Sequence, residues 1–381
     1  MYKVYQKTIL ACLLLVMTGT VYSQRVTQTI NDGWKFSLFE GDASTADFDI
    51  SGWTDVSIPH TWNAKDAEDE IPGYFRGKGW YRKLVTVEEL IPEQRVYLSF
   101  EGANQETNVF VNGTFVGNHK GGYSAFTFDV TDYVHAGRNL IAVSVDNSHN
   151  PDIAPLSADF TFFGGIYRDV YLVYTSPVQL STTHYASSGV YLKASKITDL
   201  QANISVKTFL SNALKSNQSL ILETEILDAD GNRVALSQKK VNVKAEEKNV
   251  AFESLMTITQ PKRWDVDSPY IYKVYSRLKN KKEEVLDCVV NPLGIREYRF
   301  DAEKGFFLNG KYRKLIGTSR HQDYKGMGNA LRDEMHIRDV QLSKDMGSNF
   351  LRVAHYPQDP VVMQMCDKLG LLTSVEIPVV N

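Results

Sequence analysis

The sequence predicts a multidomain protein of the β plus α/β class, in which two β-sandwiches precede the first part of a (β/α)₈ TIM barrel. Three observations predict this. Short alternating strands fill the chain from residue 25 to about 290, helix and strand alternate after Gly294, and polar runs at 317–323 and 351–357 follow successive strands that read as parallel. A complete barrel needs roughly 250 residues, so only about three strand-helix units fit before Asn381.

Composition excludes some classes of partner. The 381 residues carry a formal net charge of -3, with acidic and basic side chains mixed along the chain, and 43% are hydrophobic. The hydrophobic fraction is sufficient for packed cores. The mixed charges give no basic surface that would attract nucleic acid. Cys288 and Cys366 lie in different predicted domains, so two free thiols are favoured over a disulfide.

Residues 1–23 predict an export signal. Two lysines precede an apolar stretch over 9–21, and Val21-Tyr22-Ser23 is a small-residue cleavage pattern. The stretch is shorter than the ~20 residues that a membrane-spanning helix needs, which disfavours an uncleaved anchor. Lipid attachment at Cys12 is also disfavoured, because almost no apolar sequence precedes it. We therefore expect a periplasmic or secreted protein without a membrane span after cleavage.

Residues 25–176 are predicted to form the first sandwich. Asn112-Gly113 between two alternating runs is typical of a type I′ hairpin, because both central residues of that turn take a positive φ. Residues 95–100 and 140–145 alternate like half-buried strands. The dense aromatic residues are interpreted as sandwich core, with a sugar-stacking surface as the alternative. They are Trp34, Trp53, Trp62, Trp80, Phe126 and Phe128.

Residues 177–291 are predicted to form a second sandwich of immunoglobulin-like size. Strands are indicated over 203–208, 220–227 and 270–278, and Asp228–Asn232 is a turn cluster. No cluster of catalytic residue types occurs here, so a spacer domain is the default interpretation.

Residues 292–381 are predicted to contain parallel strands joined by right-handed crossovers. Strands are indicated over 311–318, 349–354 and 371–377, and helices over 333–346 and 359–369. Asp359-Pro360 supplies an N-cap with a first-turn proline, and Gly370 ends that helix.

Polar side chains follow the predicted barrel strands at their C-terminal ends, where active sites of such barrels are built. They are Arg320, His321, Arg352, His355, Tyr356 and Glu376. We expect them to converge on one rim that binds a polar, oxygen-rich ligand. The arginine guanidinium groups donate hydrogen bonds in a fixed geometry, the histidine and tyrosine rings supply further hydrogen-bonding groups, and the glutamate carboxylate accepts. A structural ion network of Arg320, Arg352 and Glu376 is the alternative.

The sequence lacks the residue patterns that several kinds of catalytic and metal site require. Glycoside hydrolysis with retention needs two carboxyl groups about 5–5.5 Å apart, and Glu376 is the one well-placed carboxylate. His321 with His355 lacks the third ligand of a zinc site. The sequence also has no phosphate-cradling glycine motif and no Gly-x-Ser-x-Gly elbow.

The chain resembles glycoside hydrolase family 2, the β-galactosidase, β-glucuronidase and β-mannosidase group. The runs that carry the resemblance occur in the family's order: Ile58–Asn63, Gly79–Arg82, Gly164–Val170, Gly294–Arg296 and Phe307–Lys311. The resemblance implies a sugar-binding jelly roll over 25–176, an immunoglobulin-like domain over 177–291 and the N-terminal part of a TIM-barrel catalytic domain over 292–381.

The resemblance also implies roles for individual residues. Arg320, His321, His355 and Tyr356 match strand-end motifs around the sugar site, and Asp159 matches a jelly-roll loop aspartate that reaches the active site in β-galactosidases. Ser319 stands where the family usually has Asn, so the preferred sugar stays open. The family's acid/base and nucleophile glutamates would lie beyond Asn381, so no catalytic residue is assigned. A magnesium or sodium ion near Asp159 and an oligomer are both compatible with the resemblance.

The export signal and the resemblance together predict an exported retaining β-glycosidase, most like a β-galactosidase, of which this chain is the N-terminal part. Its substrate would be a β-linked oligosaccharide or glycoside. The alternative is a non-catalytic carbohydrate-binding fragment. Three barrel strands leave an open parallel edge, so residues 292–381 are expected to be the least stable part.

Overall fold

A computed structural model describes residues 25–66 and 68–379. The predicted export signal, residues 1–23, lies outside the described residues. None of the helices in the described ranges is long and apolar enough to cross a membrane.

The first ten strands form two antiparallel sheets that pack into a sandwich. The strands are β1 (Val26–Thr29), β2 (Trp34–Leu38), β3 (Thr54–Val56), β4 (Lys78–Val87), β5 (Arg95–Phe100), β6 (Glu106–Val111), β7 (Thr114–Lys120), β8 (Phe126–Asp129), β9 (Gly137–Asp146) and β10 (Val170–Thr175). One sheet has the order β1-β10-β5-β8 and the other β3-β2-β4-β9-β6-β7.

Alternation along the strands builds the core of this sandwich. Val96, Leu98 and Phe100 of β5 are fully buried between the sheets. Trp34 and Phe126 are buried in the same cluster, and Trp62 packs against it. The interpretation of the aromatic residues as core is therefore confirmed for these three. The hairpin between β6 and β7 is also confirmed, since Asn112 and Gly113 have φ of 52° and 80°.

The next eight strands form the second sandwich. They are β11 (Val178–Leu180), β12 (Val190–Ser195), β13 (Gln201–Asn212), β14 (Gln218–Leu227), β15 (Arg233–Val243), β16 (Val250–Thr259), β17 (Tyr272–Lys279) and β18 (Val285–Leu293). One sheet orders β11-β13-β12, with β16 also paired to β13, and the other orders β15-β14-β17-β18. The carboxylate of Asp228 accepts from the backbone N–H groups of Asp230 and Asn232 and closes the turn between β14 and β15.

The remaining elements form a small antiparallel sheet and then the parallel barrel segment. They are β19 (Tyr298–Asp301), β20 (Gly305–Leu308), β21 (Lys311–Tyr312), β22 (Gly317–Arg320), α1 (Asp333–Asp345), β23 (Phe350–Val353), α2 (Pro360–Leu369) and β24 (Leu372–Val375). Strands β22, β23 and β24 pair in parallel in that order. The fold class predicted from the sequence is confirmed.

One predicted strand is wrong. The run 311–318 is two strands, because Asn309-Gly310 turns the chain with φ of 50° and 77° and brings β21 back onto β20 in antiparallel register. Barrel strand β22 begins only at Gly317. The predicted cap of α2 is confirmed: the Asp359 carboxylate accepts from the N–H of Val361 at 2.9 Å, and Gly370 ends the helix with φ of 75°.

The barrel segment contacts the second domain, and among the described residues its last strand, β24, pairs only with β23. The indole of Trp264 donates to the carbonyl of Asp367 at 2.7 Å, and the ammonium of Lys344 donates to the carbonyl of Val266 at 3.1 Å. At the end of β24 and just after it, the side chains of Val375 and Ile377 are 48% and 79% exposed.

Limited proteolysis of the 381-residue chain should therefore begin near these exposed side chains. Within residues 25–381, we expect the first cuts to fall at 373–379, because few contacts protect the backbone there. Cleavage after Tyr356 should come later, because Tyr356 is buried. Mass spectrometry of the early fragments measures the order of cutting. A first cut inside either sandwich would contradict this prediction.

Candidate functional site

Strand alternation decides which side chains face the interior of the barrel. Ser319, Arg352 and Ser374 lie opposite one another in the parallel register and share one face. The neighbouring row on the other face includes Val353, which packs against α1 and α2. Side chains at strand ends therefore belong either to the interior rim or to the helix side.

Arg352, His355 and Glu376 form a hydrogen-bonded group on the interior rim. The Arg352 Nε donates to Glu376 Oε1 at 2.5 Å, and His355 Nδ1 lies 2.9 Å from Glu376 Oε2. Burial acts to raise the pKa of Glu376, but hydrogen bonds from His355 and Arg352 outweigh it and lower that pKa. Glu376 is therefore held as a carboxylate, suited to accepting hydrogen bonds.

His321 and a loop of the first sandwich complete the rim. The rings of His321 and His355 meet edge to face with centroids 5.0 Å apart. Phe160 lies 5.8 Å from each of these two rings and stacks on His355. Asp159, the residue before Phe160, is exposed. The sandwich loop thus extends to the strand ends, which is where the resemblance to β-galactosidases placed Asp159.

Two glycines fix the path of this loop. A Cβ on Gly164 would lie 2.0 Å from the Trp62 ring, and Gly165 has a φ of 128° that side chains rarely adopt. The Oδ1 atom of buried Asn63 accepts from the N–H of Gly164 at 2.7 Å. These contacts position the chain from Phe160 onward against the barrel.

The expected convergence is corrected for Arg320, which does not lie on the rim, and in part for Tyr356, whose ring lies buried beneath the rim against Phe160, with centroids 5.3 Å apart. Arg320 falls on the helix side of β22, where its guanidinium donates to Asp339 at 2.8 Å and to Gln358 at 2.7 Å. Tyr356 is buried and stacks on Tyr123 of the first sandwich, with ring centroids 4.2 Å apart. Both side chains hold elements together in this structure.

Arg168, like Phe160, is a residue that the sequence did not single out. Its buried guanidinium donates to the carbonyl of Pro357 at 2.7 Å and to Gln322 Oε1 at 3.3 Å, and it lies over the Tyr167 ring. Arg168 belongs to the run 164–170 that carried the resemblance. Its role was hidden because its partners lie 154 and 189 residues further along the chain.

Carboxylates crowd at the same junction between the sandwich and the barrel. The hydroxyl of Tyr171 donates to Asp169 at 2.9 Å and lies 3.5 Å from Glu101. Burial, followed by the charges of Asp359 and Asp169, raises the pKa of Glu101 to about 8. Burial and Asp359 also raise the pKa of Asp333 to about 6. The folded chain therefore disfavours full ionisation of this group.

This crowding predicts a pH dependence of stability. When an acid has a higher pKa in the folded state than in the unfolded state, the folded state loses stability as the pH rises between the two values. The free energy of unfolding of the metal-free chain should therefore fall between about pH 4.5 and pH 8. A chelator keeps any cation from neutralising the carboxylates during the measurement. The Glu101→Gln variant should show a smaller fall, which denaturant titrations across this range would measure. Parallel curves for the two proteins would contradict this prediction.

The described residues contain no cluster of three metal-ligating side chains. In residues 25–66 and 68–379, no group of three or more His, Cys, Asp or Glu side chains is arranged to hold an ion. The magnesium or sodium ion that the resemblance allowed near Asp159 thus has no such ligand set there. Cys288 and Cys366 are free thiols, as predicted.

Comparison with protein families gives three consecutive matches. Residues 27–177 match "Glycosyl hydrolases family 2, sugar binding domain", residues 188–296 match "Glycosyl hydrolases family 2", and residues 301–381 match "Glycosyl hydrolases family 2, TIM barrel domain".

Similar curated proteins include a β-glucuronidase of Bacteroides fragilis and a β-galactosidase of Thermoanaerobacter pseudethanolicus. The first is 38% identical over 97% of this chain and 52% of its own length. The second is 35% identical over 93% of this chain and 45% of its own length. The chain thus spans about half the length of these relatives.

Among solved structures, Bacteroides uniformis β-glucuronidase 2, covalently bound to cyclophellitol-6-carboxylate aziridine, is 41% identical with a TM-score of 0.90, over 93% of this chain and 42% of its own. A second structure of that enzyme is a calcium binding mutant with two aspartates, 26 positions apart, changed to alanine. It is 40% identical with a TM-score of 0.87, over 94% of this chain and 43% of its own.

Proposed function

Because the chain belongs to glycosyl hydrolase family 2, we propose that it is the N-terminal part of a retaining β-glycosidase. The observation that carries the proposal is the composite rim, in which Phe160 of the sandwich lies against His321 and His355 at the barrel strand ends. Arg352, His355 and Glu376 would hydrogen-bond sugar hydroxyls there. The alternative of a sandwich that binds sugar through exposed tryptophans loses support, since Trp34 and Trp80 are buried.

For the substrate we propose a β-glucuronide, with a β-galactoside as the second candidate. The β-glucuronidases of B. fragilis and B. uniformis are 38–41% identical to this chain, and the β-galactosidase of T. pseudethanolicus is 35% identical. The test is to express the complete reading frame that encodes this chain and to compare 4-nitrophenyl β-glucuronide with 4-nitrophenyl β-galactoside. Faster turnover of the galactoside would reverse the order, and turnover of neither would overturn the glycosidase proposal.

We also propose that residues 1–23 direct export and are removed. The two lysines, the apolar stretch and the small-residue pattern support this proposal. Amino-terminal sequencing of the protein from its native host should then begin at Gln24. A mature protein that starts at Met1 would contradict it.

We further propose that Asp333 and Asp359 bind a calcium ion. These aspartates are 26 positions apart, the same separation as in the calcium binding mutant of the B. uniformis enzyme. Asp333 begins α1 and Asp359 caps α2. Calcium takes backbone carbonyl and water oxygens besides carboxylates, so two aspartates can suffice. A cation would also offset the like charges that raise the pKa of Asp333.

Calcium titration of the chelator-treated chain tests this site. Calcium should raise the melting temperature of the wild-type chain and of the control Asp230→Ala, in which an exposed turn aspartate is changed. It should not raise that of Asp333→Ala. Only the rise caused by calcium is compared, because either substitution can alter the melting temperature of the calcium-free protein. An equal rise in all three proteins would contradict the proposal.

A further inference from the structure

Gln358 ties together the C-terminal ends of two neighbouring barrel strands. It precedes Asp359, the N-cap of α2, and its side chain is buried. Its amide Nε2 donates to the carbonyl of Arg320, the last residue of β22, at 2.5 Å. The same nitrogen donates at 3.1 Å to the carbonyl of Ala354, which directly follows β23. Both protons of one amide group are therefore used on strand-end carbonyls.

Each of these two carbonyls precedes a histidine of the rim. The Arg320 carbonyl shares a peptide unit with the N–H of His321, and the Ala354 carbonyl shares one with the N–H of His355. Because a peptide unit is planar, holding its carbonyl also sets the direction in which the next residue leaves it. The rings of His321 and His355 meet edge to face with centroids 5.0 Å apart. Gln358 thus acts on both rings from behind the rim.

Arg320 sets which way the Gln358 amide faces. Its NH1 group donates to Gln358 Oε1 at 2.7 Å, and its NH2 group lies 2.7 Å from Asp339 and 2.9 Å from His336 Nδ1. Burial and then the charge of Arg320 lower the pKa of His336 to about 3, so that ring is neutral and its Nδ1 can accept. A guanidinium only donates, so the Gln358 oxygen faces it and the amide NH₂ faces the carbonyls.

We propose that Gln358 is a positioning residue for the rim, which holds His321 and His355 at the separation that recognition of a sugar requires without touching the sugar itself. This inference rests on the proposed glycosidase function. Hydrogen bonds weaken steeply when their angles depart from linear, so a rotation of either peptide plane would misalign the ring that follows it. A misplacement of about 1 Å in such a site can cost about 10²-fold in rate.

Kinetics of the product of the complete reading frame test this role. Gln358→Glu keeps the size of the side chain and an oxygen for Arg320 to bond, but it replaces the amide NH₂ with an oxygen that repels both carbonyls. For the better of the two 4-nitrophenyl glycosides, kcat/KM should fall by about 10²-fold, with KM raised. Partial unfolding would lower only the apparent kcat, because the molecules that stay folded keep their KM.

Val340→Ala is the matched control for stability. Val340 is fully buried on α1 in the core cluster on the helix side of the same strands, and its side chain can form no hydrogen bond with the two carbonyls. Removing its methyl groups should lower the melting temperature of the barrel segment. KM of this variant should stay at the wild-type value, which separates loss of stability from loss of positioning.

NMR of the 381-residue chain measures the positions of the rings directly. Imidazole ¹H–¹⁵N signals of His321 and His355, assigned with His321→Asn and His355→Asn, should shift in Gln358→Glu and stay in place in Val340→Ala. A wild-type KM in Gln358→Glu, or ring signals that do not shift, overturns the proposal. A complete product that cleaves neither glycoside would instead overturn the proposed function, and the ring signals would still decide whether Gln358 fixes the histidines.

Discussion

Replacing Arg168 by alanine should loosen the barrel segment from the first sandwich. The buried guanidinium donates to the carbonyl of Pro357 and to Gln322 Oε1. Alanine removes both bonds and leaves the Pro357 carbonyl without this donor, while Gln322 Oε1 keeps only the N–H of Asp359. Hydrogen bonds from charged groups contribute about 1.5–3 kcal/mol each. We expect the free energy of unfolding of the barrel segment to fall by about 3 kcal/mol.

Hydrogen exchange separates this effect from general destabilisation. Amides near Gln322 and Pro357 should lose protection in Arg168→Ala, while amides in the core strands of the second sandwich should keep it. Arg168→Lys should be intermediate, since lysine keeps the charge but lacks the planar fork. Arg138→Ala, an exposed arginine on β9, is the control and should change stability by less than about 0.5 kcal/mol. Equal effects of Arg168→Ala and Arg138→Ala would contradict the proposed role.

The sequence could predict those parts of the fold that depend on local signals. The α2 cap and the Asn112-Gly113 hairpin follow from the conformations that their own residues prefer. The split of 311–318 was not predicted, because no proline, glycine, asparagine or aspartate within 312–316 marks the break. The two strands differ in their partners: β21 pairs with β20 in antiparallel register, and β22 pairs with β23 in parallel register.

Site residues were harder to place because a strand end carries side chains on two faces. Arg320 and His321 are adjacent in sequence, yet Arg320 points to the helices and His321 to the rim. A shift of one residue in the assumed end of β22 reverses that assignment. Tyr356 and Arg168 depend on contacts between domains, and no spacing within a single run encodes such contacts.

The rim itself sets a limit on the chemistry of the described residues. Hydrolysis with retention needs a nucleophile and an acid/base about 5–5.5 Å apart, with the pKa of the acid raised. The pKa of Glu376 is lowered instead, because hydrogen bonds from His355 and Arg352 outweigh its burial. Glu376 is therefore poorly suited to donate a proton, and its geometry fits the binding of sugar hydroxyls.

We accordingly expect the 381-residue chain on its own to hydrolyse no 4-nitrophenyl β-glucuronide or β-galactoside above the rate in buffer. A single general acid or base is typically worth about 10²–10⁴-fold, and the covalent route needs a pair of carboxyl groups. Glu376→Gln should give the same rate as the wild-type chain, and the product of the complete reading frame serves as the positive control. Turnover by the 381-residue chain that disappears in Glu376→Gln would contradict this prediction and would make Glu376 a catalytic residue. Unchanged turnover in that variant would instead place the chemistry at carboxylates outside the Arg352–His355–Glu376 group.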